Sequence, residues 1–470
     1  MGRDDPIKGD PSRYGPGDGA GQRDASQEAL DIAAVTGVSA SQSGTGDIVG
    51  YGREADMAAL DSLLADGGGA VITEAPGAAG QGSLGKTWLA RSYAAQRPGI
   101  CPLPPVLLPL DRADRSGVAI AAAGLRLGVA ESGSFQARIR ATLDHLGREP
   151  GRPVILDDCP DAATFRALRP GRPAGITLAT ARRADWAAAA RLGHHPLDVL
   201  DFQDSARLIA RDRSDLRGSM PEPARIAAAL DDVPGALDLA ARTLAAERDG
   251  AFGDPIAYLQ ALRAVPLDRV RIAAGGRLRA PAGRERAVVR AIAVAAGRLD
   301  PHHGPDITAL NLLRLASAFI PAQPFPETIL RQATGGREGG PDTPQVDQAL
   351  RRLQALGLLR RDGVTPGPYL PPLVAAYVAA ADPDAMRAAR RRVEATMAAE
   401  LQSALLAGRV NAVLGLQLHV HHLAEIAEIA GSPLAGTLMH RLGDQMSALG
   451  ETGFAAHLAA RGNELGPPQA

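Results

Sequence analysis

The chain has 470 residues, with 51 Lys+Arg against 52 Asp+Glu and a formal net charge of −1. That balance supplies no global attraction for nucleic acid or an anionic bilayer, and the length calls for roughly two to four domains. Apolar residues make up 45% but aromatics only 3%, so a core has to be assembled from Ala, Leu, Val and Ile, chiefly in packed helices.

Residues 1–47 are rich in Gly, Asp, Ser and Arg and read as disordered, apart from a short helix at 27–35. The opening stretch lacks the charged-then-apolar pattern of a secretory leader, and no apolar run is long enough to span a bilayer; 117–130 is broken by Arg126. The two cysteines, Cys101 and Cys159, sit beside apolar runs with no metal-ligand spacing, which suits a reducing cytoplasm.

Residues 54–64 place Met57, Leu60, Leu63 and Leu64 at helical spacing. From there short β-rich runs alternate with helical stretches: 70–73, a helix over 86–96, 106–108, helices up to Leu146, 154–156, a further helix, 176–178 and a brief run at 198–200. Such alternation predicts a parallel sheet covered on both faces. Strands are expected to stop at Phe202. From there to about 262 every segment reads as helix, with Pro221, Pro223, Pro234 and Pro255 near the starts. Residues 265–282 are basic and Gly-rich and read as a linker; helices follow over 284–298, 307–319 and 345–356. Residues 357–363 and 367–370 then read as a short hairpin, in the manner of a winged helix, and 387 onwards is helical again.

Chemistry concentrates in the first of these regions. The chain holds two lysines, Lys8 and Lys86, and Lys86 lies within Gly80-Gln81-Gly82-Ser83-Leu84-Gly85-Lys86-Thr87, the full phosphate-loop spacing. In a chain that otherwise uses Arg for positive charge, a compact ammonium at this position is informative: it reaches phosphate oxygens from inside a tight loop where a planar guanidinium is too bulky. Glycines let backbone N–H groups turn inward as an anion nest, and the following helix, with Trp88 in its first turn, points its positive end at the same anion. Thr87 is placed to offer its hydroxyl to Mg2+. Residues 74–79 exceed what the loop needs between strand and glycines, so the loop bulges or the strand runs on. The second half of such a site is an acid at a strand's C-terminal end, supplied by Val154-Ile155-Leu156-Asp157-Asp158. Asp157 is placed to hold Mg2+ through water, and Asp158 to orient or deprotonate an attacking water.

In order along the chain, Tyr51-Gly52-Arg53-Glu54, the phosphate loop, Leu156-Asp157-Asp158, Thr180-Ala181-Arg182 and Asp232-Val233-Pro234-Gly235-Ala236-Leu237 resemble the motif series of NB-ARC proteins, a branch of the STAND signalling ATPases. The resemblance spans about 48–378. It implies an α/β phosphate-loop domain at 48–202, a helical subdomain and linker at 203–282, a winged helix at 283–383 and, at 384–470, a helical tail similar to tetratricopeptide repeats. The cofactors it implies are ATP or ADP with Mg2+. Residue by residue, Arg53 resembles the arginine beside adenine and ribose, Arg182 the sensor that reaches the γ-phosphate, and Pro234 the proline that packs on adenine. Gly80, Gly82, Ser83, Leu84, Gly85, Lys86, Thr87 and Trp88 make up the phosphate cradle and the helix start. Relatives often carry a β-phosphate histidine where this chain has Pro371, which lacks a donor.

In the tail, Leu442-Gly443, Gly450, Ala455 and Pro467 fall at the offsets of one tetratricopeptide helix pair, with small residues at the crossing. His419, His421 and His422 read as a polar helix face, and His194-His195 and His302-His303 as loops. The function these features imply is a cytoplasmic nucleotide-dependent switch with slow hydrolysis that works through a protein partner or self-association. Two other readings stand beside it: a DNA-binding regulator using Arg351, Arg352, Arg360 and Arg361, and a nucleotide-binding scaffold without turnover.

Overall fold

The computed structural model describes residues 52–65, 68–75, 84–110, 113–129, 133–169, 175–183, 185–274, 277–335, 343–361 and 367–466. The expectations for 1–47, for Tyr51, for Gly80, Gly82 and Ser83 and for Pro467 fall outside these residues.

Helix α1 (Glu54–Leu64) buries Met57, Leu60 and Leu64 and leads into β1 (Gly69–Glu74). After the phosphate-loop sequence come α2 (Lys86–Gln96), β2 (Val106–Pro109), α3 (Ala113–Arg126), α4 (Phe135–Arg148), β3 (Val154–Asp157), α5 (Ala162–Leu168), β4 (Thr177–Thr180) and β5 (Gly193–Leu197). The five strands form one parallel sheet in the order β2-β3-β4-β1-β5. Strands β1 to β4 are apolar on both faces, as a covered parallel sheet requires. One side of the sheet packs Ile72, Ile155 and Leu178 against Met57, Leu60, Leu89 and Tyr93; the other packs Val71, Leu156 and Ala179 with Ile120, Leu146 and Phe165.

The fifth strand differs from expectation. It is Gly193-His194-His195-Pro196-Leu197 and not the run at 198–200, so His194 and His195 lie on a strand and not in a loop. Its exposure alternates along the strand, as at a sheet edge, and an edge tolerates Pro196 because one side of the backbone has no ladder to join. Side chains from neighbouring elements fix it: Thr73 Oγ1 lies 2.6 Å from His194 Nε2, and His195 Nε2 lies 2.7 Å from Asp56 Oδ1.

Beyond β5 the described chain is almost wholly helical. Helices α6 (Phe202–Ile209), α7 (Pro221–Ala229), α8 (Pro234–Ala246) and α9 (Pro255–Ala264) follow, and proline stands at the first position of the last three, where its missing N–H is no loss. The expected linker at 265–282 instead contains a small antiparallel pair, β6 (Ile272–Ala274) with β7 (Arg277–Arg279), whose Ile272 is buried in the helical core. Alternation over only three residues gave no strand signal. Helices α10 (Glu285–Ala296), α11 (Gly304–Ala316), α12 (Glu327–Gly335) and α13 (Thr343–Ala355) precede a single antiparallel bridge between Arg360 and Tyr369, where the hairpin was expected. Helix α14 (Pro372–Ala381), with Pro371 at its N-cap, runs into α15 (Pro383–Leu406), α16 (Val410–Ile429), α17 (Ala435–Ala448) and α18 (Thr452–Leu465).

One apolar cluster joins these helices and continues into Val118, Ala121, Leu125 and Phe135 of α3 and α4. The last helices therefore pack back on the sheet domain. Phe135 N donates to Leu449 O at 2.9 Å, and buried Arg138 donates to Asn411 Oδ1 at 2.8 Å. The α17–α18 crossing is lined with small residues: a Cβ on Gly436 would stand 2.4 Å from Gly466 O. His419 and His421 of α16 are buried and do not form a polar face. His419 is buried, receives Ile320 N at 3.3 Å on Nδ1 and lies 2.9 Å from Pro324 O through Nε2. It also stands edge-on to Phe319 at 5.4 Å. His421 is buried against Phe454.

Candidate functional site

The C-terminal edge of a parallel sheet collects strand ends and helix N-termini on one side, and the motif residues converge there. Gly85 takes φ +88°, a left-handed conformation that glycine adopts freely, and turns the chain into α2. Lys86 and Thr87 are therefore the first two residues of a helix leaving the sheet edge, while buried Leu84 anchors the turn and half-buried Trp88 packs against the same apolar cluster.

Thr87 Oγ1 donates to Asp157 Oδ1 at 2.6 Å. A second hydroxyl, Thr180 Oγ1 at the end of β4, donates to the same oxygen at 2.6 Å and accepts from Asp158 N at 2.9 Å. Asp157 is thus oriented from two neighbouring elements. Burial pushes its pKa up, and the Thr180 and Thr87 hydrogen bonds oppose that shift. Asp158 turns away with φ +55°, a region that short polar side chains enter most easily, and its carboxylate lies 3.6 Å from the exposed Arg182 guanidinium. Lys86 Nζ is 2.5 Å from Glu74 Oε1, at the end of β1.

Arg53 caps the other side of the site. It is 4% exposed and donates to Leu84 O at 3.0 Å, Asp198 O at 2.8 Å and Asp56 at 3.0 Å. Burial lowers its pKa, with Asp56 and Asp198 opposing. Asp56 in turn sits below the usual carboxylate range: burial alone would raise it, but the bonds from His195 and Arg53 outweigh that. Arg284, just before α10, reaches Asp198 Oδ1 at 2.8 Å. Pro234 begins α8 in the adjoining helical layer, and the turn before it is tied to the segment after β5 by Leu200 N to Asp232 O at 3.2 Å.

The structure brings together Leu84, Gly85, Lys86, Thr87, Asp157, Asp158, Arg182 and, around the rim, Arg53 and Trp88. Sequence reasoning missed Glu74, Thr180 as the residue orienting Asp157, and the Asp56–His195 pair. Each joins residues from separate elements, a relation that spacing does not carry. The basic cluster near the hairpin is largely committed inside the fold: Arg352 pairs with Glu247 at 2.6 Å, Arg360 with Asp238 and Arg361 with Glu327.

No family model matches the chain, and no curated protein matches it. Weak similarities to solved structures are found. A STAND protein with a tetratricopeptide repeat sensor from Pyrococcus horikoshii is 14% identical, with a TM-score of 0.44 over 88% of this chain, which spans 64% of that protein's length. The Walker-type ATPase of Pyrococcus abyssi is 16% identical with a TM-score of 0.32, covering 70% of this chain and 95% of that one. The ORC2 protein of Aeropyrum pernix, solved with ADPNP and ADP, is 18% identical with a TM-score of 0.31, covering 71% of this chain and 95% of that one. At such scores the assignment of a P-loop NTPase fold rests on this chain's own strand order, its phosphate-loop sequence and the helix that follows.

Proposed function

We propose that this protein binds ATP or ADP with Mg2+ at the edge of β1, β3 and β4, and that nucleotide state sets the arrangement of its helical regions. The observation that carries the reading is the Thr87–Asp157 contact of 2.6 Å, with Lys86 on the adjacent residue. A helix-start hydroxyl meets a strand-end carboxylate and the preceding residue carries an ammonium, residue types that phosphoryl-transfer sites use. Thr87 and Asp157 offer hard oxygen donors of the kind Mg2+ prefers; bound there, the ion would neutralise phosphate charge. Lys86 would hold the β- and γ-phosphates and Gly85 would let the backbone approach. Arg53 and Pro234 would border the base.

In this reading Asp158 would orient the attacking water and Arg182 would leave Asp158 to meet the γ-phosphate. Turnover would be slow because Arg182 is exposed and engaged elsewhere. The units proposed are 48–202 for the nucleotide domain, 203–282 for the helical subdomain, 283–383 for a winged helix and 384–470 for the tail. A signalling switch that engages a protein partner or a second copy is the role this organisation suits.

Thermal melting with ADP or ATP and Mg2+ tests the reading. Ligand at about a hundred times its Kd should stabilise the wild type by about 2.7 kcal/mol, and Lys86→Ala should lose that response. A wild type whose melting does not respond to either nucleotide would refute it.

A further inference from the structure

Lys86 is answered here by a group that phosphate-loop chemistry does not call for. Glu74 Oε1 lies 2.5 Å from Lys86 Nζ, with the two side chains 14% and 10% exposed respectively. The carboxylate is delivered by a fixed strand end: Glu74 is in register with Leu197 of β5, and Ala75 N donates to Leu197 O at 2.9 Å. The neighbouring site groups are engaged in the same way, Thr87 with Asp157 and Asp158 with Arg182. Lys86, though, differs from these, since its partner is an anion of the kind it would have to exchange for a phosphate. A carboxylate in contact with the ammonium and a polyphosphate in contact with it repel each other at close range, most strongly where water is largely excluded.

We propose that Glu74 is an affinity-setting residue that competes, within the chain, with a nucleotide's phosphates for Lys86. The proposal rests on the nucleotide-binding reading above. Its consequence is selective. Only ligands carrying phosphate have to displace Glu74, so the residue weakens ADP and ATP binding and leaves binding of the nucleoside portion untouched.

Calorimetry on the full chain with ADP, ATP and adenosine, comparing wild type, Glu74→Gln and Lys86→Ala, tests it. Glu74→Gln keeps the shape of the side chain and removes its charge; ADP and ATP should bind it about tenfold more tightly than wild type, a change of about 1.4 kcal/mol, while adenosine gains nothing. The ligand-free variant should also melt below wild type, because Lys86 has lost its ionic partner. Glu74→Ala provides an independent removal of the carboxylate and should show the same phosphate-specific gain. If wild type binds nucleotide through Lys86 but neither Glu74 variant binds more tightly, or adenosine gains equally, competition by Glu74 is overturned and the nucleotide site stands. No nucleotide binding by wild type would overturn both.

Discussion

Two threonines hold Asp157, and they hold it by the same oxygen. Thr180 is the partner that the proposed nucleotide does not need for itself, so it isolates the value of orientation. Replacing Thr180 by Val keeps its volume and removes its hydroxyl. Orienting partners of a metal-binding carboxylate typically contribute about 10–100-fold in affinity, so Mg2+-dependent ADP binding by Thr180→Val should weaken by that order while Mg2+-free binding changes little; titrations with and without the ion check this. The raised pKa of Asp157 also has a direction in pH. A carboxyl that holds its proton above the ordinary range must be deprotonated to serve a cation, so Mg2+-dependent affinity should fall on acidification at a higher pH than for an unperturbed aspartate. Calorimetry across the acidic range follows it. For turnover, Asp158→Asn should abolish phosphate release while retaining ADP binding, as measured by a phosphate assay and a melting shift. The placement of Lys86 and Thr87 at a helix start and of Asp157 at a strand end was legible in the sequence because a strand, loop and helix series and an apolar strand ending in acid are local patterns. The contacts of Glu74 and Thr180 were not, since they form only after α2 lies beside β1 and β4 beside β3.

Helices and strands with long, regular patterns were also legible: 54–64 and 86–96 match α1 and α2 to the residue. The elements that escaped include helices α12 and α14, the edge strand β5 and the pair β6–β7; in these strands three to five residues with exposed faces give periodicity little to work with. Contacts between elements follow the same rule. Asp238 on α8 receives Arg211 at 2.8 Å, Arg242 at 3.2 Å and Arg360 from beyond α13. Burial opposes its ionisation, but the three guanidiniums outweigh that and hold its carboxyl well below the usual range. Removing that one charge takes a shared anion away from three half-buried guanidiniums, so Asp238→Asn should destabilise the protein by about 1–3 kcal/mol near neutral pH. Because the folded pKa is depressed, the stabilisation is complete above the unfolded value of about 3.9 and fades as pH falls below it. Denaturant melts should therefore show the wild-type and Asp238→Asn curves converging in acid. At the α17–α18 crossing, Gly436→Ala would set a Cβ against backbone oxygens of Gly466 and Gly462, and overpacking of this kind costs about 1–3 kcal/mol.

Across the whole molecule, chain segments far apart in sequence meet where α4 receives α16 and the turn after α17. Its polar fastening is Arg138 to Asn411 and Phe135 N to Leu449 O. Leaving a buried acceptor without its donor costs about 1–3 kcal/mol, so Arg138→Ala should speed hydrogen exchange in the first turns of α16 and the 449–452 turn while sparing β1 and β3.

Helix α3 is clothed on two sides. Ile120 and Ala123 face the sheet, while Val118, Ala121 and Leu125 face the carboxy-terminal helices. A shortened protein ending before α15 would hence wear a bare oily stripe along α3, a recipe for clumping in solution, whereas polar replacements at those three positions would make such a fragment behave.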